Sequence, residues 1–494
     1  MLFNSFTYML FLPAVVVLYW GLPNRYRTTL LLVASYIFYM NWKPAYGLLI
    51  LALTVINYLI GLALEKFSEK KKSILVGGLI FNLFCLCFFK YANFILESVF
   101  SGLHGINALI TPGHADTWAS PALKIILPLG ISFFTFEFIH YIVDVYRGSA
   151  AVRNFRDFAL FAAFFPSQIA GPIKRFQDFT HQLLEKPVFT NAHFREGMFL
   201  ILQGLFKKIV LGDNMGYVVN TGFNHVSRMG LVDTWIAVMG FTFQIFFDFS
   251  GYTDIGRGSA LLFGYKVPEN FNWPFLAANL TEFWRRWHIS LSTWLRDYLF
   301  IPLGGSRVSP GRARFNTMLT MVLGGLWHGA AWHYVIWGAF HGTGLVLSKE
   351  WTDFAARTPW LAKLRPHPLW HWSGVAITML FLFMAGILFR AETIPQALRI
   401  AHKLIIPDAG GEVTSMFLNS TLPVSLSCYL IYLLARLLAQ KAAGSDNSLN
   451  TMLSTAGRYF ENSMGTQVVV YASVAFIILG FAPLHVSPFI YFQF

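Results

Sequence analysis

Long apolar runs recur along most of this chain, and they limit what it can fold into more than any other feature. A transmembrane α-helix needs about 20 predominantly apolar residues to cross a bilayer. Runs near this length occur at residues 6–20, 28–41, 45–64, 73–93, 122–142, 197–212, 231–262, 317–347, 371–389, 421–439 and 467–483. Only 12% of the 494 residues are charged, whereas soluble domains have about 25%. The pattern predicts an all-α polytopic membrane protein with about eleven transmembrane helices.

The polar stretches between these runs are short. The longest, at 101–120, 174–196, 405–416 and 440–466, are too small to form separate domains. We therefore expect residues 1–494 to form a single membrane domain. The first apolar run lacks a basic leader and an obvious small-residue cleavage site, so we expect it to be retained as a membrane segment.

The net charge of +13 has two compatible explanations in a membrane protein. Short cytoplasmic loops are enriched in lysine and arginine, and Lys66, Lys70, Lys71 and Lys72 in one polar loop fit that rule. Basic loops can also attract an anionic lipid surface, an acidic carrier protein or a phosphate-bearing donor. Neither explanation involves nucleic acid.

Two segments do not have the composition of simple spanning helices. Residues 164–172 are apolar but contain two prolines and a glycine. Irregular backbone at membrane depth is tolerated only inside protein or beside a cavity, so we expect a re-entrant element here. Residues 281–303 mix aromatic and charged side chains, which indicates an interfacial helix or the lining of a polar cavity.

Two histidines, His288 and His328, each follow a tryptophan directly within apolar sequence. Imidazole can exchange a proton near neutral pH, and an ionisable side chain at membrane depth indicates function. The alternative is a buried histidine satisfied by a backbone carbonyl. Glycines around His328 permit close approach of a ligand. Arg285 and Arg286 beside His288 could bind a phosphate or a developing negative charge.

Several other chemistries lack their sequence signatures. There is no HExxH motif, no ligand-like spacing of His, Cys and carboxylate residues, no GxSxG elbow and no phosphate-binding glycine loop. We therefore expect no metal site. A histidine base that activates an external hydroxyl is the chemistry that remains.

A polar strip lies inside the apolar run at 231–262 and includes Gln244, Asp248, Ser250 and Asp254. Polar groups in such a setting are costly unless they are paired or hydrated. The strip can be a structural network, with Asp254 paired to Arg257, or the lining of a substrate tunnel. The sequence leaves both interpretations open.

Many of these segments resemble the membrane-bound O-acyltransferase (MBOAT) superfamily, and most of all its bacterial branch of alginate O-acetyltransferases and teichoic acid D-alanyl transferases. Two positions depart mildly from the family pattern, since Glu137 and His140 stand where uncharged polar residues are expected. The matching segments are residues 1–6, 128–136, 143–148, 165–172, 248–254, 283–288, 298–305, 325–329 and 489–494.

The resemblance implies the MBOAT fold, in which transmembrane, re-entrant and interfacial helices surround a funnel. It implies that His328 is the essential histidine and His288 its partner, in a tunnel that joins the two membrane faces. We expect the apolar tip at Leu299, Ile301 and Leu303 to dock a carrier protein or auxiliary subunit. The expected tunnel residues are Arg285, Arg286, Trp287, Trp327, Gln168, Gln244, Asp248, Ser250 and Asp254.

The resemblance also implies a reaction. A cytoplasmic acyl thioester, either acetyl-CoA or the phosphopantetheine of an acyl carrier protein, would serve as co-substrate, with no permanently bound cofactor. The acyl group would reach an extracytoplasmic polysaccharide such as alginate, through an SGNH-type partner acyltransferase outside a bacterial inner membrane. The alternatives are a transporter or flippase for a lipid-linked sugar, and an acyltransferase acting on a lipid or a protein.

Overall fold

The computed structural model describes residues 1–110, 122–169, 171–185, 187–406, 463–482 and 489–490, with residues 427, 430 and 434. Within these ranges the chain forms helices and no β-strand, apart from an isolated antiparallel bridge between Phe271 and Trp287. The all-α prediction is therefore confirmed for the described residues.

The helices are, in chain order, α1 (Phe6–Gly21), α2 (Asn24–Met40), α3 (Pro44–Lys66), α4 (Lys71–Leu86), α5 (Ala92–Ile110), α6 (Ile131–Tyr146), α7 (Phe155–Ala163), α8 (Phe176–Leu184), α9 (Asn191–Leu205), α10 (Asn214–Asn224), α11 (Leu231–Leu262), α12 (Leu280–Arg286), α13 (Ile289–Leu295), α14 (Pro310–His328), α15 (Trp332–Arg357), α16 (Pro359–Leu364), α17 (Pro368–Arg390), α18 (Ile394–Lys403) and α19 (Met464–Phe481). Wider π-helical turns occur at Cys87–Tyr91, Phe206–Asp213 and Arg296–Phe300.

In the described ranges, four helical stretches are long and apolar enough to cross a membrane. Two shorter apolar helices, at residues 6–21 and 465–481, accompany them. The chain is thus a multi-pass membrane protein, but these helices do not establish the predicted number of eleven. The predicted span at 421–439 lies almost entirely outside the described residues. The four long stretches are Pro44–Lys66, Ser68–Asn107, Leu231–Leu262 and Pro368–Arg390.

Two predicted spans are wrong in detail. In the run at 122–142, residues 122–128 are not helical, and α6 begins at Ile131 after Gly130 adopts a left-handed conformation with φ 74°. The run at 317–347 is broken at 329–331 into two helices, α14 and α15. The two pack tightly, since a Cβ atom on Gly325 would lie 2.2 Å from the carbonyl oxygen of Tyr334.

The long helix α11 lies at the centre of the molecule and is buried along most of its length. It is continuous over 32 residues. Helix α9 approaches it through pairs of glycines, because a Cβ on Gly204 would lie 2.5 Å from the Gly251 oxygen and one on Gly258 would lie 2.5 Å from the Gly197 oxygen. Small residues that allow close backbone contact are typical of helix packing in membranes.

The proline-containing segment at 164–172 packs against α11 and α2. Its described residues up to 169 form turns and are buried. The Phe165 amide donates to Ser35 Oγ at 3.1 Å, and a Cβ on Gly256 would lie 2.4 Å from the Pro166 oxygen. The irregular backbone therefore lies inside protein, as its composition requires.

Candidate functional site

His328 ends helix α14 and lies where two cavities meet. It is 6% exposed, and it contributes to the walls of both a cavity of about 740 Å³ and a cavity of about 50 Å³. We call these the wide cavity and the narrow cavity. The same residue thus borders both cavities.

The narrow cavity is walled mainly by aromatic rings from α11, α12, α15 and α17. The ring of His328 lies 5.1 Å from that of Trp337 and 5.2 Å from that of Phe389. A second imidazole, His341 on α15, also lines the cavity, and Trp284 Nε1 donates to its Nδ1 at 3.3 Å. The other lining residues are Phe241, Thr242, Ile245, Phe275, Phe283, Trp287, Leu382, Ala385 and Gly386.

The wide cavity is bounded by the start of the chain, the turn between α2 and α3, and residues 126–133. Ile169, from the buried irregular segment, contributes to its wall. Its polar side chains include Ser132 and Lys90, beside Trp327 and His328. The wide cavity therefore offers room and hydrogen-bonding groups beside His328.

The π-helical turn at Cys87–Tyr91 holds the end of the helix that carries His328. Lys90 Nζ donates to the carbonyl oxygens of Trp327 and His328, the latter at 3.2 Å, and Tyr91 Oη donates to the Leu326 oxygen at 2.8 Å. The last carbonyls of a helix have no partner within the helix, and a cation there is favourable. Lys90 and Tyr91 thus fix the backbone from which the imidazole projects.

His288 occupies a different setting. It lies between α12 and α13 with φ 43°, in the left-handed region that few non-glycine residues adopt. Its ring is 4.7 Å from Phe249 and 6.0 Å from Trp327. In the described part of the chain neither ring nitrogen has a hydrogen-bond partner, and burial lowers the pKa of His288 to about 3. This neutral imidazole lines neither cavity.

The residues beside His288 separate in the structure. Trp287 lines the narrow cavity, and Trp327 lines the wide one. Arg285 is exposed, and Arg286 forms an ion pair with Glu282; neither arginine lines either cavity. The structure thus brings the two tryptophans, and not the two arginines, to His328.

The polar strip of α11 is engaged in ion pairs. Lys208 Nζ lies 2.6 Å from Asp248 Oδ1, and Lys207 Nζ lies 2.6 Å from Asp254 Oδ2. Asp248 Oδ2 also accepts from the Ile490 amide at 2.7 Å, while Arg257 is farther from Asp254, at 3.7 Å. These contacts favour the structural interpretation. None of the predicted tunnel residues Gln168, Gln244, Asp248, Ser250 and Asp254 lines either cavity.

The predicted docking tip begins in the π-helical turn at Arg296–Phe300, which contains Leu299, and continues just beyond it. Ile301 is 53% exposed, whereas Leu299 and Leu303 are half-buried. Leu299 packs against a cluster that includes Trp294 and Leu295. Of the three, Ile301 is the side chain most accessible to a partner, and its docking role stays a prediction.

Sequence reasoning missed Lys90 and His341. Lys90 is the only charged residue in the apolar run at 73–93, and that isolation was a usable signal because an intramembrane charge is costly. His341 follows His328 by 13 residues, and no periodicity joins the two because the helix breaks between them.

Comparison with known proteins identifies relatives of the segment that carries this site. Residues 150–390, which contain the three imidazoles described above, match the membrane-bound O-acyltransferase family. The probable alginate O-acetylase AlgI of Azotobacter vinelandii is 37% identical over 524 aligned residues that cover 100% of both chains. The AlgI protein of Pseudomonas aeruginosa is 42% identical over 81% of this chain and 74% of its own.

A relative named for a different acceptor belongs to the same class of enzyme. The peptidoglycan O-acetyltransferase of Helicobacter pylori is 33% identical over 76% of this chain and 73% of its own. These relatives support a transferase over the transporter alternative. The family match and the full-length similarity together show that the chain belongs to the membrane-bound O-acyltransferase family and is a multi-pass membrane O-acyltransferase.

Proposed function

We propose that this chain takes an acetyl group from a thioester at the cytoplasmic face of a bacterial inner membrane and passes it to a hydroxyl at the opposite face, for O-acetylation of a polysaccharide such as alginate. The observation that carries the proposal is the position of His328 in the walls of both cavities. A single base that can be approached from two sides suits transfer between compartments.

The distribution of basic residues supports this orientation. Helix α3 begins beside Trp42, which lines the wide cavity, and ends about 34 Å away at the lysine-rich loop that starts with Lys66. Arg153 pairs with Glu65 at 2.8 Å near that loop. Basic loops favour the cytoplasmic side, so the wide cavity belongs to the extracytoplasmic, acceptor side.

The chemistry follows from a neutral imidazole beside two substrates. The acceptor oxygen attacks the thioester carbonyl carbon while His328 takes the hydroxyl proton. The intermediate then releases the thiolate, which takes that proton from the imidazolium and leaves as the thiol. General base catalysis of this kind contributes about 10²- to 10⁴-fold, and the aromatic walls exclude water that would hydrolyse the thioester.

Cavity size supports a short acyl group. The narrow cavity, about 50 Å³, is far smaller than ordinary ligand pockets of about 300–1,000 Å³, so it suits an acetyl group better than a long fatty chain. The wide cavity, about 740 Å³, lies within the range of ordinary ligand sites and can admit a sugar or a partner's side chain.

The names of the relatives favour a polysaccharide acceptor, since two are alginate O-acetylases and one acts on peptidoglycan. We include in the proposal an SGNH-type partner that completes the transfer outside the membrane. On the cytoplasmic side, acetyl-CoA or an acyl carrier protein would supply the group, with Ile301 as the docking contact. A lipid or protein acceptor remains the alternative outcome of the test.

The test uses alginate-producing cells that lack their own O-acetylase. Supplying this chain should restore acetyl esters to the exported polymer. Sealed inside-out vesicles from these cells, given [¹⁴C]acetyl-CoA on the outside, should accumulate labelled polymer in the lumen. Label on lipid or protein alone would show that the acceptor is not a polysaccharide. If cells with and without this chain incorporate the same label, the proposal is overturned.

A further inference from the structure

His341 shares the narrow cavity with His328, although the two residues lie on different helices. His341 is 2% exposed, and its ring is 4.4 Å from that of Trp337. The His328 ring lies 5.1 Å from the same indole. His288, which the family resemblance implies as the partner histidine, does not line this cavity. The cavity thus offers His341, not His288, as the second imidazole near the reacting group.

The hydrogen bond from Trp284 determines which nitrogen of His341 carries the proton. An indole N–H can only donate, and Trp284 Nε1 points to His341 Nδ1 at 3.3 Å. Nδ1 must therefore accept, which leaves the proton of the neutral ring on Nε2. Among the described residues that line this cavity there is no carboxylate to hold an imidazolium.

The Nε2–H group of His341 is then available to a ligand. In the part of the chain that the structure describes, His341 has a hydrogen bond at Nδ1 and none at Nε2. The surrounding walls are aromatic and aliphatic, and a fixed donor in such surroundings acts more strongly than in water. It resembles the preorganised donors that stabilise a developing oxyanion.

We infer that His341 is a catalytic residue, whose Nε2–H donates a hydrogen bond to the carbonyl oxygen of the acyl group. The inference rests on the proposed function. As the acceptor oxygen bonds to the carbonyl carbon and its proton passes to His328, the carbonyl π pair moves onto the oxygen that faces His341. Collapse of this oxyanion breaks the C–S bond, and the thiolate takes the proton from His328.

Trp284 is a positioning residue in this scheme. Its N–H holds the His341 ring in the tautomer that presents a donor to the cavity. Without that bond the proton can reside on Nδ1, and Nε2 would then present a lone pair to the oxyanion. Trp284→Phe should therefore lower turnover while it keeps most of the aromatic wall.

The test compares two substitutions of His341 in the vesicle assay with [¹⁴C]acetyl-CoA. His341→Leu removes the donor and should lower kcat about 10²- to 10³-fold, with the KM for acetyl-CoA little changed. In His341→Gln, the amide oxygen can accept from Trp284 while the amide nitrogen donates to the cavity. We expect this variant to stay within about tenfold of the unmodified chain.

A histidine on the same helix provides the matched control. His333 bonds to the Leu388 carbonyl at 3.0 Å and lines neither cavity, so His333→Gln should transfer acetyl groups at the normal rate. Folded yield in detergent is measured for every variant. If the unmodified chain transfers no acetyl group, the proposed function fails, and that result is separate from the inference.

Three outcomes would overturn the inference while the unmodified chain is active. Well-folded His341→Leu could match the unmodified rate, His341→Gln could be as slow as His341→Leu, or the losses could lie in KM and not in kcat. If His341→Leu does not accumulate as folded protein, the folded variants His341→Gln and Trp284→Phe test the inference instead. An inactive His341→Gln or a fully active Trp284→Phe would then contradict the role.

Discussion

The two Trp–His pairs look alike in sequence but occupy opposite kinds of surroundings. The pair ending in His328 closes a helix and lines two cavities. The pair ending in His288 sits in a strained turn behind the rings of Phe249 and Trp327. Elements distant in sequence create the difference, because α15 and α17 form the narrow cavity and Lys90 holds the end of α14. A motif identifies an unusual histidine, but tertiary packing determines what it can reach.

The most severe test of this comparison is His328→Ala. Loss of the base should lower acetyl transfer by about 10²- to 10⁴-fold, while the folded yield stays near normal. The measurement is acetyl content of exported polymer together with the yield of detergent-solubilised protein. Retained acetylation in well-folded His328→Ala would eliminate the base assignment.

His288→Asn should have a smaller effect. Asparagine tolerates the left-handed backbone better than most residues, so this variant removes the ring without adding strain. The ring supports Trp327, and misplacing a catalytic group by about 1 Å can cost up to about 10²-fold; we expect a loss of about 10- to 100-fold.

The double variant His288→Asn/His328→Ala tests whether His288 acts through the position of His328. If His288 acts through the position of His328, its loss should matter little once His328 is already alanine, so the two effects will not add. Strictly additive losses would indicate independent roles. Full activity of His288→Asn would remove His288 from the site.

The sequence predicts the fold where apolar length alone is decisive. It predicts helices at α1 to α3, α11 and α17 because a spanning helix must be long and apolar. It misses the break at 329–331 because Gly329, Ala330 and Ala331 are as compatible with an apolar run as with a turn. Apolarity reports the environment of a segment, and it does not report whether the helix is continuous.

The site is predictable only where its chemistry is local. His328 and the cavity tryptophans Trp287 and Trp327 follow from sequence. The role of Asp248 does not, because its partner Lys208 lies 40 residues earlier in the chain, on another element. Its pairing with that lysine at 2.6 Å favours the structural interpretation of the polar strip, and only the packing of α11 against the π-helical turn at Phe206–Asp213 reveals it.

Lys90→Met tests the support of His328 and should have a moderate effect. The substitution keeps a long side chain of similar shape but removes the hydrogen bonds to the carbonyl oxygens of Trp327 and His328. Each of these hydrogen bonds contributes about 1 kcal/mol, so α14 should be less rigid at its end without them. We expect kcat to fall about tenfold, measured in the vesicle assay.

Tyr91→Phe is the matched control for Lys90. It removes one neutral hydrogen bond to Leu326, worth about 1 kcal/mol, and leaves the two carbonyls nearest the imidazole bonded. Its loss of rate should be smaller than that of Lys90→Met. Equal rates for Lys90→Met and the unmodified chain would show that α14 needs no such support.

The smallest effect on the chemistry is expected at the exposed end of the apolar tip. Ile301 is 53% exposed, so the carboxylate of Ile301→Asp would stay hydrated and avoid the cost of burial. Folded yield and the rate with acetyl-CoA should be within about twofold of normal. Co-purification of an acyl carrier protein or auxiliary subunit should be lost, because the tip would then be negatively charged. Leu299→Asp is the contrast: Leu299 is half-buried in an apolar cluster, so this variant should lose folded protein. An Ile301→Asp variant that folds, acylates and still retains its partner would contradict the docking role.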